Sequence, residues 1–147
     1  MITLRHFTEN DAELLQAHQL YGKSKEDILS LINEWKSNSY NGKYFEMFAV
    51  VKDAMVVGSI SLYEHSPNVA SIGVEIFTDQ RCRGYATDAM QLLLTHAKEK
   101  GYRIIQQQVR TDNLPSIQLH GKLGFETDGY VYVNRKGHDI ILYLKAL

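Results

Sequence analysis

The segment from Val69 to Arg110 limits the possible folds more than any other stretch of the chain. Between Val69 and Phe77, Ile72, Val74 and Ile76 alternate with Ser71, Gly73, Glu75 and Phe77, the two-residue period of a β-strand with one apolar row. After the turn Arg81-Cys82-Arg83-Gly84-Tyr85-Ala86, the residues Ala86, Ala89, Met90, Leu93 and Ala97 recur on one helical face, and Gly101 stands where a C-terminal glycine cap belongs. Arg103 to Arg110 then reads as a second strand. Strand, helix and strand in that order form a crossover that sets two strands parallel, with the right-handed connection expected.

The rest of the chain reads as antiparallel. Ile2, Leu4 and His6 alternate with Thr3 and Arg5 in a short strand, followed by Thr8-Glu9-Asn10-Asp11, whose side chains can cap a helix. Ser24 with Asp27 opens a second helix, in which Ile28, Leu31, Ile32 and Trp35 follow the i, i+3, i+4, i+7 pattern. Phe45 to Val51 and Val57 to Tyr63 form a hairpin across Lys52-Asp53-Ala54, and Ser66-Pro67-Asn68 turns the chain again. Beyond Arg110, Asp112-Asn113-Leu114-Pro115 leads into a short helix, and Phe125 to Tyr132 pairs with Asp139 to Leu144 around Lys136-Gly137. The expected class is α+β, one domain over residues 1–147, with a mixed, mostly antiparallel sheet.

Composition excludes several functions. Sixteen basic and seventeen acidic residues leave a net charge of -1, so there is no global field for non-specific nucleic-acid binding, and any anion site must be local. The single cysteine, Cys82, allows neither an internal disulfide nor a thiolate metal cluster, and a reducing, cytoplasmic setting is expected. Met1 to Phe7 lack a long apolar run and no run approaches the roughly 18 residues of a membrane span, so neither secretion nor membrane spanning is expected. Histidines at 6, 18, 65, 96, 120 and 138 lack metal-ligand spacing, so no metal is expected.

The turn after Phe77 is where chemistry is expected. The first N–H groups of a helix have no intrahelical partner and sit at the positive end of its dipole, so they donate to an anion. Gly84 and Ala86 let anion oxygens approach the backbone, and Arg81 and Arg83 add charge. A Walker loop would need Gly-Lys-Ser/Thr, and a dinucleotide-binding turn three glycines; this turn has neither. Taken alone, it is compatible with an ordinary helix start carrying two solvated arginines.

Arg81-x-x-Gly84-x-Ala86, followed 29 residues after Gly84 by Asn113-x-x-Ser116 and then by Lys122-Leu123-Gly124-Phe125, resembles the GNAT acetyltransferase superfamily over most of the chain. The resemblance implies a single-domain GNAT-like fold, with helices on both faces of the sheet and a splayed parallel strand pair that receives the pantetheine arm of acetyl-CoA. It implies backbone contacts to that arm at Ile76 and Phe77, pyrophosphate contacts from Arg81, Arg83, Gly84, Tyr85, Ala86 and Thr87, and further cofactor contacts from Asn113 and Ser116. The partners implied are acetyl-CoA and a primary amine, on a small molecule or a protein. Dimers are common in the resembled family, so a homodimer is one expectation for the assembly.

Acetyl transfer to an amine requires three things: loss of a proton from a group of pKa near 10, stabilisation of an oxyanion, and protonation of a thiolate of pKa about 8.5. Glu75 is the candidate proton acceptor. His120, seven residues after Asn113, stands where the family often carries a tyrosine that protonates the thiolate, and imidazole has a suitable pKa. Gln108 occupies the region where N-terminal acetyltransferases often place a glutamate base, and glutamine cannot serve as one. Tyr21, Tyr40, Tyr44, Tyr63, Glu64 and His65 are expected near the acceptor. The alternative is a module of the same fold that binds acyl-CoA as a sensor or scaffold without turnover. Nucleic-acid binding through Arg81, Arg83, Arg103 and Arg110 lacks a basic surplus, and an acyl-cysteine at Cys82 fits poorly with a phosphate-binding turn.

Overall fold

A computed structural model describes residues 1–147. Strand β1 (Ile2–Arg5) is followed by a 3-10 turn (Glu9–Asp11) and helices α1 (Ala12–Ala17) and α2 (Lys25–Trp35). Next come β2 (Ser39–Tyr40), β3 (Lys43–Lys52), β4 (Met55–Ser66) and β5 (Val69–Ile76). Helix α3 (Tyr85–Glu99), β6 (Ile104–Arg110), α4 (Leu114–Lys122), β7 (Val131–Val133) and β8 (Asp139–Ala146) complete the chain. One mixed sheet runs in the order β1-β3-β4-β5-β6-β8-β7, with β2 added on β3. All pairings are antiparallel except that of β5 with β6, as the crossover pattern predicts.

Local chemistry sets the element ends. The Thr8 N–H donates to Asp11 Oδ2 at 2.8 Å, and Arg5 grips the same carboxylate through two bonds of 2.8 and 2.9 Å. Ser24 Oγ accepts from the Asp27 N–H at the start of α2, as its position predicts. Helix α3 ends at Gly101, φ +100°, where the N–H groups of Gly101 and Tyr102 bond the carbonyls of Lys98 and Ala97. That paired closure needs a residue in the left-handed region, which glycine enters without strain.

The sheet is covered on both faces. Ala89, Met90, Leu93, Leu94 and Ala97 of α3 pack on Ile60, Leu62, Ala70, Ile72 and Ile105 in the larger core, which Leu123, Phe125 and Tyr143 extend towards α4. The smaller core holds Leu15 of α1 and Ile28 and Ile32 of α2 against Ala49, Val51, Val56 and Phe77. Strand alternation therefore divides β5: Ala70, Ile72 and Ile76 belong to the α3 side, and Phe77 to the α1 and α2 side. Gly58 permits close packing between β4 and β5, because a Cβ there would overlap the Glu75 carbonyl oxygen.

The structure corrects one strand. Phe125 to Tyr132 is not continuous: Glu126 makes an isolated bridge with Leu144, and pairing resumes only at Val131. The physical cause is local. Thr127 Oγ1 and Asp128 Oδ1 accept from the N–H groups of Gly129 and Tyr130, and Gly129 takes φ +76°, so side chains satisfy backbone donors that a ladder would otherwise use.

Candidate active site

The chain leaves β5 at Ile76, passes a 3-10 turn at Thr78–Gln80 and enters α3 at Tyr85. Cys82 and Gly84 take φ values of +63° and +80°; the second is unstrained because glycine has no Cβ. Asn113 Oδ1 caps α4 by accepting from the Ser116 N–H, much as Ser24 caps α2, but no side chain caps α3. The 15-residue α3 therefore begins with free donors at Tyr85, Ala86 and Thr87, at the positive end of its dipole. Arg81 and Arg83 are exposed beside them, and Arg81 Nε donates to the Ile76 carbonyl at 2.9 Å, which ties the turn to the end of β5.

Strands β5 and β6 pair only at Val69 with Ile104 and at Ala70 with Ile105, and then diverge. At the point of divergence the Gln107 carboxamide replaces the missing ladder: its Oε1 accepts from the Ile72 N–H at 2.7 Å, and its Nε2 donates to the Ile72 carbonyl at 2.8 Å. Backbone groups of alternate residues point the same way, so those of Val74 and Ile76 follow Ile72 into the gap. An open strand edge thus runs from Ile72 directly to the uncapped start of α3.

Behind Gln107 lies His120, 4% exposed. Its Nδ1 is 2.7 Å from the Ser116 carbonyl, which only accepts, so Nδ1 carries the proton; its Nε2, 3.3 Å from Gln107 Nε2, then accepts from that amide. Phe125 and Tyr143 flank the ring at centroid distances of 4.8 and 5.6 Å. Burial lowers the His120 pKa against a smaller opposing effect of the Ser116 carbonyl, and the imidazole is neutral at pH 7.

Glu75 lies on the other side of the sheet. It is opposite Ser59, whose Oγ donates to Gln19 Oε1 at 2.7 Å, and it is exposed, while Phe77 in the same row stacks on His18 at 4.4 Å. On this face the gap between β5 and β6 opens as a cavity of about 340 Å³ lined by His65, Ser71, Ile72, Gln106, Gln107 and Gln108. Of the residues expected near an acceptor, Tyr40, Tyr63 and His65 gather here with Phe45. Tyr44 and Glu64 do not, because the Tyr44 hydroxyl donates to Glu46 at 2.6 Å and Glu64 accepts from Tyr102 at 2.8 Å. Tyr21 stands apart in solvent, 86% exposed.

The structure therefore brings Ile76 and the Arg81 to Thr87 turn together at one end of the gap, but not the backbone of Phe77, whose N–H donates to the Val57 carbonyl at 2.9 Å and whose carbonyl accepts from the Gln80 N–H at 2.8 Å. It places Asn113, Ser116 and His120 along α4 on the α3 side, and Glu75 on the opposite face. Sequence reasoning missed Gln107. Its one signal is position: it stands between Ile105 and Val109, both buried, in the inward row of its strand.

A family model described as an acetyltransferase (GNAT) domain matches residues 1–126. The SPbeta prophage-derived uncharacterized N-acetyltransferase YokL of Bacillus subtilis is 29% identical over 101 residues, 67% of this chain and 57% of that protein. The uncharacterized N-acetyltransferase p20 of Bacillus licheniformis is 26% identical over 127 residues, 82% of this chain and 70% of the relative. Among solved structures, the ribosomal L7/L12 alpha-N-protein acetyltransferase RimL in complex with coenzyme A superposes with a TM-score of 0.83 at 20% identity, covering 99% of this chain and 94% of that one. The chain spans little more than half the length of YokL.

Proposed function

The chain belongs to the GNAT acetyltransferase family, and from that premise we propose that it is an N-acetyltransferase moving an acetyl group from acetyl-CoA to a primary amine by direct attack in a ternary complex. The observation that carries this reading is the open β5 edge leading into an uncapped helix start. Val74 and Ile76 supply main-chain donors and acceptors for the amide-rich pantetheine arm, and Tyr85, Ala86 and Thr87, with Arg81 and Arg83, supply donors and charge for the pyrophosphate. Arg81 holds the Ile76 carbonyl through Nε alone, which leaves its terminal nitrogens for phosphate and the second lone pair of the carbonyl for the arm. Asn113 and Ser116, at the start of α4, face the gap from its other side in this reading.

In the transfer step the amine nitrogen attacks the thioester carbonyl carbon, the C–S bond breaks, and the amine loses a proton while the thiolate gains one. Glu75 is the proposed proton acceptor, directly or through one water, and its exposed carboxylate on the acceptor side supports that role. A β5 N–H is the oxyanion donor. His120 retains the proposed role of thiolate acid on one condition: Nε2 must carry a proton, so its contact with the Gln107 amide has to break.

A binding module of the same fold would share the cofactor site but not the turnover. Calorimetry with coenzyme A and thiol release from acetyl-CoA over an amine panel decide between them. The enzyme reading expects both signals. Binding without thiol release on any amine favours the module, and absence of coenzyme A binding removes both readings.

A further inference from the structure

Four rings close one end of the acceptor face. Tyr40 lies 6.0 Å from both Phe45 and Tyr63, Phe45 lies 6.3 Å from Tyr63, and His65 meets Tyr63 edge-on at 5.5 Å. His65 also lines the cavity between β5 and β6, so the aromatic wall and the cavity are continuous. We propose that the acceptor is a monoamine bearing an aromatic ring on a short alkyl spacer, with the ring held at this wall and the amine delivered beside Glu75. The proposal rests on the acetyl-transfer reading and names its substrate class.

Register gives the spacing. Tyr63 pairs with Ser71, Ser61 with Gly73, and Ser59 with Glu75, so wall and carboxylate are four residues apart along the strands, about 13 Å. Between them the floor is made of Ser61 and Gly73, and a Cβ on Gly73 would come within 3.1 Å of Ser61 Oγ. These two small residues thus leave a shallow track between the ring wall and the carboxylate. A ring on Tyr63 and an amine bonded to a Glu75 side chain that leans along the strand span that track with a spacer of about four carbons, whereas two carbons fall short.

Charge selects against the other amines. A polyamine would set a second ammonium at the wall, yet the carboxylates adjacent in sequence, Glu46 and Glu64, are turned to the far face, where they accept from Tyr44 and Tyr102. An α-amino acid would need a cation for its carboxylate. Arg110, at the end of β6, is already held by Asp112 through bonds of 3.1 and 2.8 Å, and the cavity is lined by the neutral side chains of Ser71, Gln106, Gln107 and Gln108 beside His65. Without a carboxylate, these exposed rings hold an ammonium by cation–π contact alone, about 0.5–1 kcal/mol, and a stacked flat ring gains at least as much with its apolar area added.

The test uses phenethylamine, phenylbutylamine, hexylamine, spermidine and glycine, with thiol release for turnover and calorimetry on the protein–coenzyme A complex for binding. The expected result is a kcat/KM at least about tenfold higher for phenylbutylamine than for hexylamine, with phenethylamine, too short for the track, below phenylbutylamine. Tyr63→Ala is expected to erase that preference through KM while coenzyme A affinity stays unchanged. Gly73→Ala, which raises the floor, is expected to penalise the aryl substrates most. Preference for spermidine or glycine, or an unchanged selectivity in Tyr63→Ala, overturns the proposal. Selective binding of phenylbutylamine without turnover upholds the pocket and removes the transfer reading; turnover without any aryl preference does the reverse.

Discussion

The Gln107 side chain uses three hydrogen bonds, two to Ile72 and one to His120, to finish a sheet whose strands are moving apart. Leucine has a similar volume and none of those groups, so Gln107→Leu strands buried partners and is expected to cost about 3 kcal/mol in urea unfolding; a loss below about 1 kcal/mol would show that water takes over the bonds. Acid stability has two windows. The lowered pKa of His120 means that the unfolded chain takes a proton before the folded one does, so stability falls as pH drops below about 6.5, until the folded ring titrates. Glu46 behaves differently: burial raises its carboxyl, but bonds from Tyr44, His6 and His96 together outweigh that and leave it depressed. Its contribution is present above the ordinary carboxylate range near 4 and lost below it. Thermal melts from pH 7.5 to 3 should therefore show two separate declines, and a flat profile between 6.5 and 5 would contradict the neutral His120. Little of this was legible in the sequence. A glutamine in a strand reads as solvent-facing, and the partners that make Gln107 and Glu46 tolerable inside come from distant segments.

At the scale of elements, the start of α3 differs from those of α2 and α4 in having no capping side chain. If its free donors hold a pyrophosphate, Gly84→Asp should weaken coenzyme A binding by at least about tenfold, through repulsion at the positive helix end, with the fold retained by circular dichroism; unchanged affinity would refute the site. Helix α3 was legible because its apolar face, its opening glycine and its closing Gly101 are all local signals. The turn at Ser66-Pro67-Asn68 was equally plain. Strand β4 reaches further than its alternation suggested, Met55–Ser66 rather than Val57 to Tyr63, since partners on both sides extend its ladder. The interruption at Thr127 and Asp128 escaped notice because it depends on side chains bonding their own backbone, which composition alone does not separate from a strand of mixed polarity.

Across the molecule, one sheet separates two cores, the larger under α3 and α4 and the smaller under α1 and α2. The crossover from Val69 to Arg110 made that layout readable, because a parallel pair within an antiparallel sheet needs a helix over it. How far the pair stays together was not readable, since beyond Ala70 and Ile105 the strands are bridged by the Gln107 side chain and not by backbone pairing. If coenzyme A supplies the absent ladder partners, saturating cofactor should slow amide exchange at Val74 and Ile76 selectively and raise the melting temperature; protection confined to the Arg81 to Thr87 turn would argue against contacts along the strand. Strands β1 to β5 on one side and β6 to β8 on the other are joined in hydrogen-bond terms by two residue pairs and one carboxamide. The sheet is thus like a book with a narrow spine, and how far it stands open is set by what lies between its pages.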